Sequence, residues 1–181
     1  MGLKLEASIG KSLSGDRGEF AEIVRQFQRP LFSFLARMGL DRPVSEDIAQ
    51  ETFVRAWINL GRYDPAVSRF STWLFTIARN LALSELDRAE KRPEARETLP
   101  DIACEQPGPH EKLDLSRSMS RLRHALSGLS QADRSILALA YVEDMTLSEI
   151  AKIEGCTKVA AKVRIHRAKM KLRILMEKEN G

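Results

Sequence analysis

Seven cations fall within sixteen residues near the C-terminus: Lys158, Lys162, Arg164, Arg167, Lys169, Lys171 and Arg173, with His166 among them. Cations spaced this way along a helix can neutralise phosphates, and those near its start can also reach base edges. From Leu147 to Gly181 nine Lys and Arg stand against four Asp and Glu, a net of +5; from Pro93 to Leu115 two stand against six, a net of −4. The net charge of +4 for all 181 residues therefore hides a basic end behind an acidic middle. That is the electrostatic footprint of a polyanion binder. A solvated Lys/Arg-rich surface would give the same counts, so charge alone leaves both readings open.

Other chemistries find little support. Cys104 and Cys156 are far apart with no CxxC, the three histidines are not clustered, and His110, His124 and His166 show no obvious carboxylate or nucleophile partner. This excludes the ligand spacing of a zinc site and a disulfide framework, and it fits a reducing compartment. No Gly-rich phosphate loop is present, so no cofactor, metal or catalytic residue is expected, and the chain does not read as an enzyme. The N-terminus lacks the apolar core of a signal peptide. No apolar run approaches the ~20 residues needed to span a membrane, so a cytoplasmic protein without membrane insertion is expected.

The elements that would position these side chains are helices. Apolar residues recur at three- and four-residue steps and period-two alternation is absent. The pattern predicts one helix from about Asp16 to Gln28 and a second from Leu31 to Met38, begun by Pro30 and closed by Gly39. A third is expected to start at Ser45 as N-cap, with Glu46 and Asp47 at its positive end, and to stop near Gly61. A loop from Tyr63 to Phe70 precedes a long helix capped by Ser71 and running from Thr72 to about Arg88. Four of the seven prolines then fall between Pro93 and Pro109 among acidic residues, which marks an extended linker and a domain boundary. The hydrophobic share of 43% is enough for a packed core on either side of it. The fold class is thus all-α, with two small helical domains joined by a linker: residues 1–92, 93–112 and 113–181.

After the linker four helical stretches are expected: Leu113–Leu126, Ser130–Val142, Thr146–Ile153 and Thr157–Met176. Only Glu154, Gly155 and Cys156 separate the last two. A short helix, a tight turn with Gly and a longer basic helix make the helix-turn-helix pattern. Gly155 can take the positive φ that ends the first helix, and Thr157 can cap the second. Ala161, Ile165, Ala168, Leu172 and Leu175 give the last helix a buried seam. Lys158, Lys162, Val163 and His166 would then meet base edges, and Arg164, Arg167 and Lys169 phosphates. The competing reading is a solvated amphipathic helix on a bundle, but the Gly turn and the preceding short helix favour DNA.

In the N-terminal unit, Asp47, Gln50, Glu51, Val54 and Ile58 form a mixed polar and aliphatic stripe suited to docking another protein, although by itself such a stripe reads as an ordinary exposed helix face. The string DIAQETFVRAW, followed by RFSTWLFTIARNLA, resembles region 2 of the extracytoplasmic-function sigma factors, the shortest branch of the sigma-70 superfamily. LSQADRSILALAYVEDMTLSEIAKIEGC and the later VRIHRAKMKL are similar to their region 4. Both blocks stand in the right order and distance, and the resemblance runs from about Phe20 to Leu172.

What the resemblance implies is a non-enzymatic, alternative sigma factor. Its first block would dock on the β′ clamp helices of core RNA polymerase through Asp47, Gln50, Glu51 and Val54, and its second block would also meet the β flap. Phe70, Ser71, Arg79, Asn80 and Arg88 would read and open the −10 element, with Asn80 helping to hold a flipped base and Phe70 the aromatic offered to DNA from the loop. Trp57 and Trp73 read better as core. The −35 element would be read through Thr157, Lys158, Lys162, Val163, His166 and Arg167. The acidic linker would thread toward the active-site and RNA-exit channel, and an anti-sigma factor would hold the protein inactive. The chain departs from the family pattern at Ser84, where Asp is frequent, and at Val159-Ala160-Ala161 and Val163, where Gly-Thr-Val and Ser are usual. The alternative is a helix-turn-helix regulator acting without polymerase, which predicts a dimer on palindromic half-sites and leaves the first block unexplained.

Overall fold

In a computed structural model of the chain, residues 2–13, 16–91, 122 and 124–178 are described. The acidic linker over 93–112, Cys104, His110 and the start of the helix expected at Leu113 lie outside them. Among the described residues there is no strand, as the periodicity requires. The helices are α1 (Gly2–Leu13), α2 (Arg17–Arg37), α3 (Arg42–Ile58), α4 (Phe70–Glu90), α5 (Gln131–Ala140), α6 (Leu147–Ile153) and α7 (Lys158–Lys178), with a 3₁₀ turn at Leu60–Arg62.

α2 is one helix where two are expected. Asp16 caps it by accepting from the Gly18 and Glu19 backbone N–H groups, and Pro30 lies inside it. An interior proline forfeits one backbone hydrogen bond, at a cost of about 3 kcal/mol. Burial of Ile23, Phe27, Leu31, Phe34 and Leu35 along one face outweighs that cost and carries the helix through. Gly39 ends the turn at φ +88, the left-handed region where glycine carries no side-chain penalty.

α3 also starts earlier than expected. Its cap is Asp41, whose carboxylate accepts from Val44 N–H at 2.9 Å, with Pro43 in the first turn. Ser45, expected as the cap, is buried inside the helix. α4 starts at Phe70 without a side-chain cap, so Ser71 is not the cap either. α1 was not anticipated. It lies on α2 through buried Ile9, and its Ser8 and Lys11 each donate to Glu19 at 2.7 Å.

α2, α3 and α4 form the N-terminal bundle around Leu31, Phe34, Leu74, Phe75 and Ala78, none of them exposed. Phe34 and Phe75 meet edge to face at 5.5 Å. α5, α6 and α7 form the C-terminal unit around Ile136, Leu139, Ile150 and Ala161. The two units pack on each other, α2 against α5 and α4 against α6, and their apolar residues join one continuous core.

Candidate functional site

The turn between α6 and α7 is built as its residue types require. Thr146 and Glu149 cap α6 reciprocally, Thr146 Oγ1 accepting from Glu149 N–H at 3.3 Å and Glu149 Oε2 from Thr146 N–H at 2.8 Å. Gly155 takes φ +63 and closes the helix. Thr157 Oγ1 then accepts from Ala160 N–H at 3.1 Å, which starts α7. Ala161 and Ala168 are buried, and their small size lets α7 lie close on α5 and α6.

This orientation leaves Thr157, Lys158, Lys162, Val163, His166 and Arg167 exposed together on the first half of α7. A helix that shows a cationic, solvent-facing edge at its start has the shape and charge to enter a major groove. Two cations expected at phosphates are otherwise engaged. Arg164 Nη2 donates to Glu154 Oε2 at 2.9 Å, and the Lys169 ammonium lies 5.5 Å from the centre of the Tyr141 ring.

In the N-terminal unit, Asp47, Gln50 and Val54 are exposed on α3, and Glu51 pairs with Arg55 at 2.6 Å. Gln50 and Val54 line an apolar groove of about 580 Å³ between α2 and α3. The α2 wall is Phe20, Val24, Gln28 and Phe32, one residue per turn, and the α3 wall includes Phe53, Trp57 and Ile58. Sequence reasoning found only the α3 wall. The four-residue repeat on α2 was legible, but nothing in it shows that α2 and α3 lie side by side. Trp57 stacks edge to face on Phe20 at 4.9 Å, so its ring packs within the fold.

Along α4, Asn80 and Arg88 are exposed, Arg88 pairing with Glu85 at 2.5 Å, and Ser71 is half-buried. Phe70 departs from expectation. It is 2% exposed and packs on Phe27, Tyr63 and Trp73, with ring centres 5.4 to 5.6 Å apart. The loop ends one residue before it, and the first turn of α4 drives the ring inward. Arg79 is also turned to the protein, its Nε donating to Glu154 Oε1 at 2.8 Å.

The loop before α4 meets the α6 cap. Arg69 Nη1 donates to Asp144 O at 3.2 Å and pairs with Glu149 at 3.3 Å, and Thr72 Oγ1 donates to Glu149 Oε1 at 3.2 Å. Burial alone would raise the Glu149 carboxyl, but the Thr146 N–H and hydroxyl, Arg69 and Thr72 together hold it below the usual carboxylate value of 4.5. A lowered folded-state value contributes stability above 4.5 that is lost as pH falls through it. Glu149→Gln should therefore melt earlier than the parent near neutrality. The gap should close on acidification below pH 4.5; a gap that is constant with pH would rule the charge out as its source.

The chain matches the family model of sigma-70 region 2 over residues 23–92 and that of sigma-70 region 4 over residues 119–172. It is 33% identical to the RNA polymerase sigma factor CarQ of Myxococcus xanthus, covering 90% of this chain and 91% of that one. It is 30% identical to the ECF RNA polymerase sigma factor RpoE of Cereibacter sphaeroides, over 87% and 86% of the two chains. The chain belongs to the extracytoplasmic-function sigma factors of the sigma-70 superfamily. As a sigma factor it is a transcription-initiation factor, and the all-α expectation from sequence holds. A solved structure of CnrH in complex with the cytosolic domain of CnrY superposes with TM-score 0.71 at 25% identity, covering 96% of this chain and 97% of that one. No helix among the described residues of the sigma factor is long and apolar enough to cross a membrane, and no metal-binding cluster occurs among them.

Proposed function

We propose that this sigma factor docks on core RNA polymerase through the α2–α3 groove and places two DNA-reading surfaces on one promoter. The observation that carries the reading is the pairing, in one chain, of an unfilled apolar groove beside Gln50 and Val54 with an exposed cationic edge on α7. An apolar groove lined also by Glu46 and Gln50, with Asp47 and Glu51 on the same helix, suits an amphipathic helix of a partner, here the β′ clamp helices, with the β flap as a second contact of the C-terminal unit. Thr157, Lys158, Lys162, Val163, His166 and Arg167 read the −35 element. Ser71, Arg79, Asn80 and Arg88 serve the −10 element; the buried Phe70 ring supports them from the core. The protein performs no catalysis of its own and acts in the cytoplasm. Its working units are residues 1–92 and 113–181, with 93–112 as the connection.

An anti-sigma factor as controller is supported by the likeness to CnrH, solved with the cytosolic domain of CnrY. Run-off transcription with purified core polymerase tests the whole reading. Promoter-specific products that depend on this protein are expected, and their absence on every genomic fragment would overturn it.

Within that assay Asn80→Ala isolates the flipped-base role. Extruding a base costs a few kcal/mol, which a pocket must offset. Promoter opening should fall roughly 10- to 100-fold, while the holoenzyme assembles as before. Permanganate reactivity of the opened strand reads the first and co-elution with core the second; equal loss of both would remove Asn80 from the pocket.

A further inference from the structure

α7 carries aliphatic side chains where water, not protein, meets the helix. Val159 is 75% exposed and Val163 41%. At about 3.6 residues per turn both lie within about 20° of the direction opposite buried Ala161. They therefore run along the crest of the face that points away from the fold. Lys158 and Lys162 stand exposed on one flank of this crest and Arg167 on the other, and exposed His166 continues its line. The start of α7 thus shows two chemistries side by side, a narrow aliphatic ridge with cations along both edges.

Neither valine is explained by the helix itself. β-branched side chains lose rotamer freedom in a helix and form it less well than Ala, Leu or Lys. At this exposure they bury little apolar surface in return. Single exposed aliphatics are ordinary on a protein surface, but these two stand one turn apart in the centre of a cation-flanked edge. Such an edge fits a polyanion with an apolar floor, and the major groove of duplex DNA is one. Its walls are phosphate. On its floor the thymine C5-methyl is the one apolar group among the donors and acceptors of the base pairs. A groove ~12 Å wide admits an α-helix. The rise from Val159 to Val163, about 6 Å, covers about two base steps of about 3.4 Å each. Exposed Met170 and Ile174 lie further along the ridge, beyond the N-terminal residues that a helix-turn-helix brings to base edges.

We propose that Val159 and Val163 read the C5-methyl groups of two thymines, one or two base steps apart, in the −35 element. This rests on α7 being the helix that reads that element, and it adds Val159 and a class of base to that reading. The flanking cations supply affinity, and the two valines supply a preference for T·A pairs that needs no hydrogen bond.

The test removes the methyl groups one at a time. Holoenzyme assembled from the full chain and core polymerase first selects its −35 sequence from duplexes randomised over that element. Each thymine of the selected duplex is then replaced in turn by deoxyuridine, which keeps every hydrogen-bonding group and lacks only the methyl. At two thymines the replacement should weaken binding roughly fourfold, the worth of one buried methyl; elsewhere it should change nothing. Val159→Ala should abolish the penalty at one of these thymines and Val163→Ala at the other. Alanine is the better helix former and both sites are exposed, so each variant should melt no earlier than the parent. Equal affinity for thymine and deoxyuridine at every position overturns the proposal. So does a selected element lacking two thymines at that spacing, or a penalty that persists in both alanine variants. Failure of the underlying reading looks different: the selection then returns no sequence preference over the element and Lys162→Ala leaves affinity unchanged, and the proposal falls with it.

Discussion

Val54→Asp is expected to lower promoter-directed run-off transcription roughly a hundredfold while leaving the fold intact. Val54 is 43% exposed and Ile58, one turn on, is 71% exposed, so neither holds the bundle together. Both line the groove with Phe20, Val24, Phe32, Phe53 and Trp57. An aspartate there would be desolvated by any apolar partner that filled the groove, at a cost of about 3 kcal/mol or more, and each 1.4 kcal/mol is tenfold in affinity. Co-elution with core polymerase and a thermal melt check the two halves of the claim. Normal binding would mean that the groove is not the docking site; an early melt would mean that Val54 supports the fold.

Phe70→Ala is expected to act in the opposite way, through stability. The ring is 2% exposed and touches Phe27, Tyr63 and Trp73. Truncating a buried phenylalanine costs about 3–5 kcal/mol through lost transfer energy and the cavity left behind. That is a large part of the 5–15 kcal/mol typical of a domain. Thermal midpoint and transcription should fall together, and DNA binding should recover at low temperature where the variant is folded. A variant that melts like the parent yet cannot open a promoter would return the ring to the DNA. The three other aromatic rings around Phe70 make the first outcome the expected one, because edge-to-face contacts add to the area they bury.

Local chemistry made much of the C-terminal unit legible. Thr146 pairs with Glu149 and Thr157 with the Ala160 N–H, each three residues on, and Gly155 acts through its own backbone angle, so their roles follow from local spacing. The exposed face of α7 follows from the seam of Ala161 and Ala168 for the same reason. Local chemistry misled where the next shell outweighed it. Pro30 reads as a helix start, but the buried face from Ile23 to Leu35 holds the helix through it. Ser45 reads as a cap, yet Asp41 with Pro43 two residues on takes that role. Phe70 reads as a loop aromatic because nothing within four residues announces the ring cluster that receives it.

Glu154 marks the boundary between the two kinds of information. It continues the apolar spacing of Leu147, Ile150 and Ala151, and a carboxylate in that register signals a buried partner. Which partner could not be read, because Arg79 is 75 residues away and reaches it only when α4 lies on α6. By itself the chain determined its all-helical class, its turn and its basic edge on α7, since these depend on neighbours one helical turn apart. Only the tertiary structure decided that α2 completes a groove with α3, that Phe70 is core, and that a cation assigned to DNA is held by a carboxylate of the other unit. Those depend on how packed surfaces meet, and no periodicity in the chain encodes the meeting.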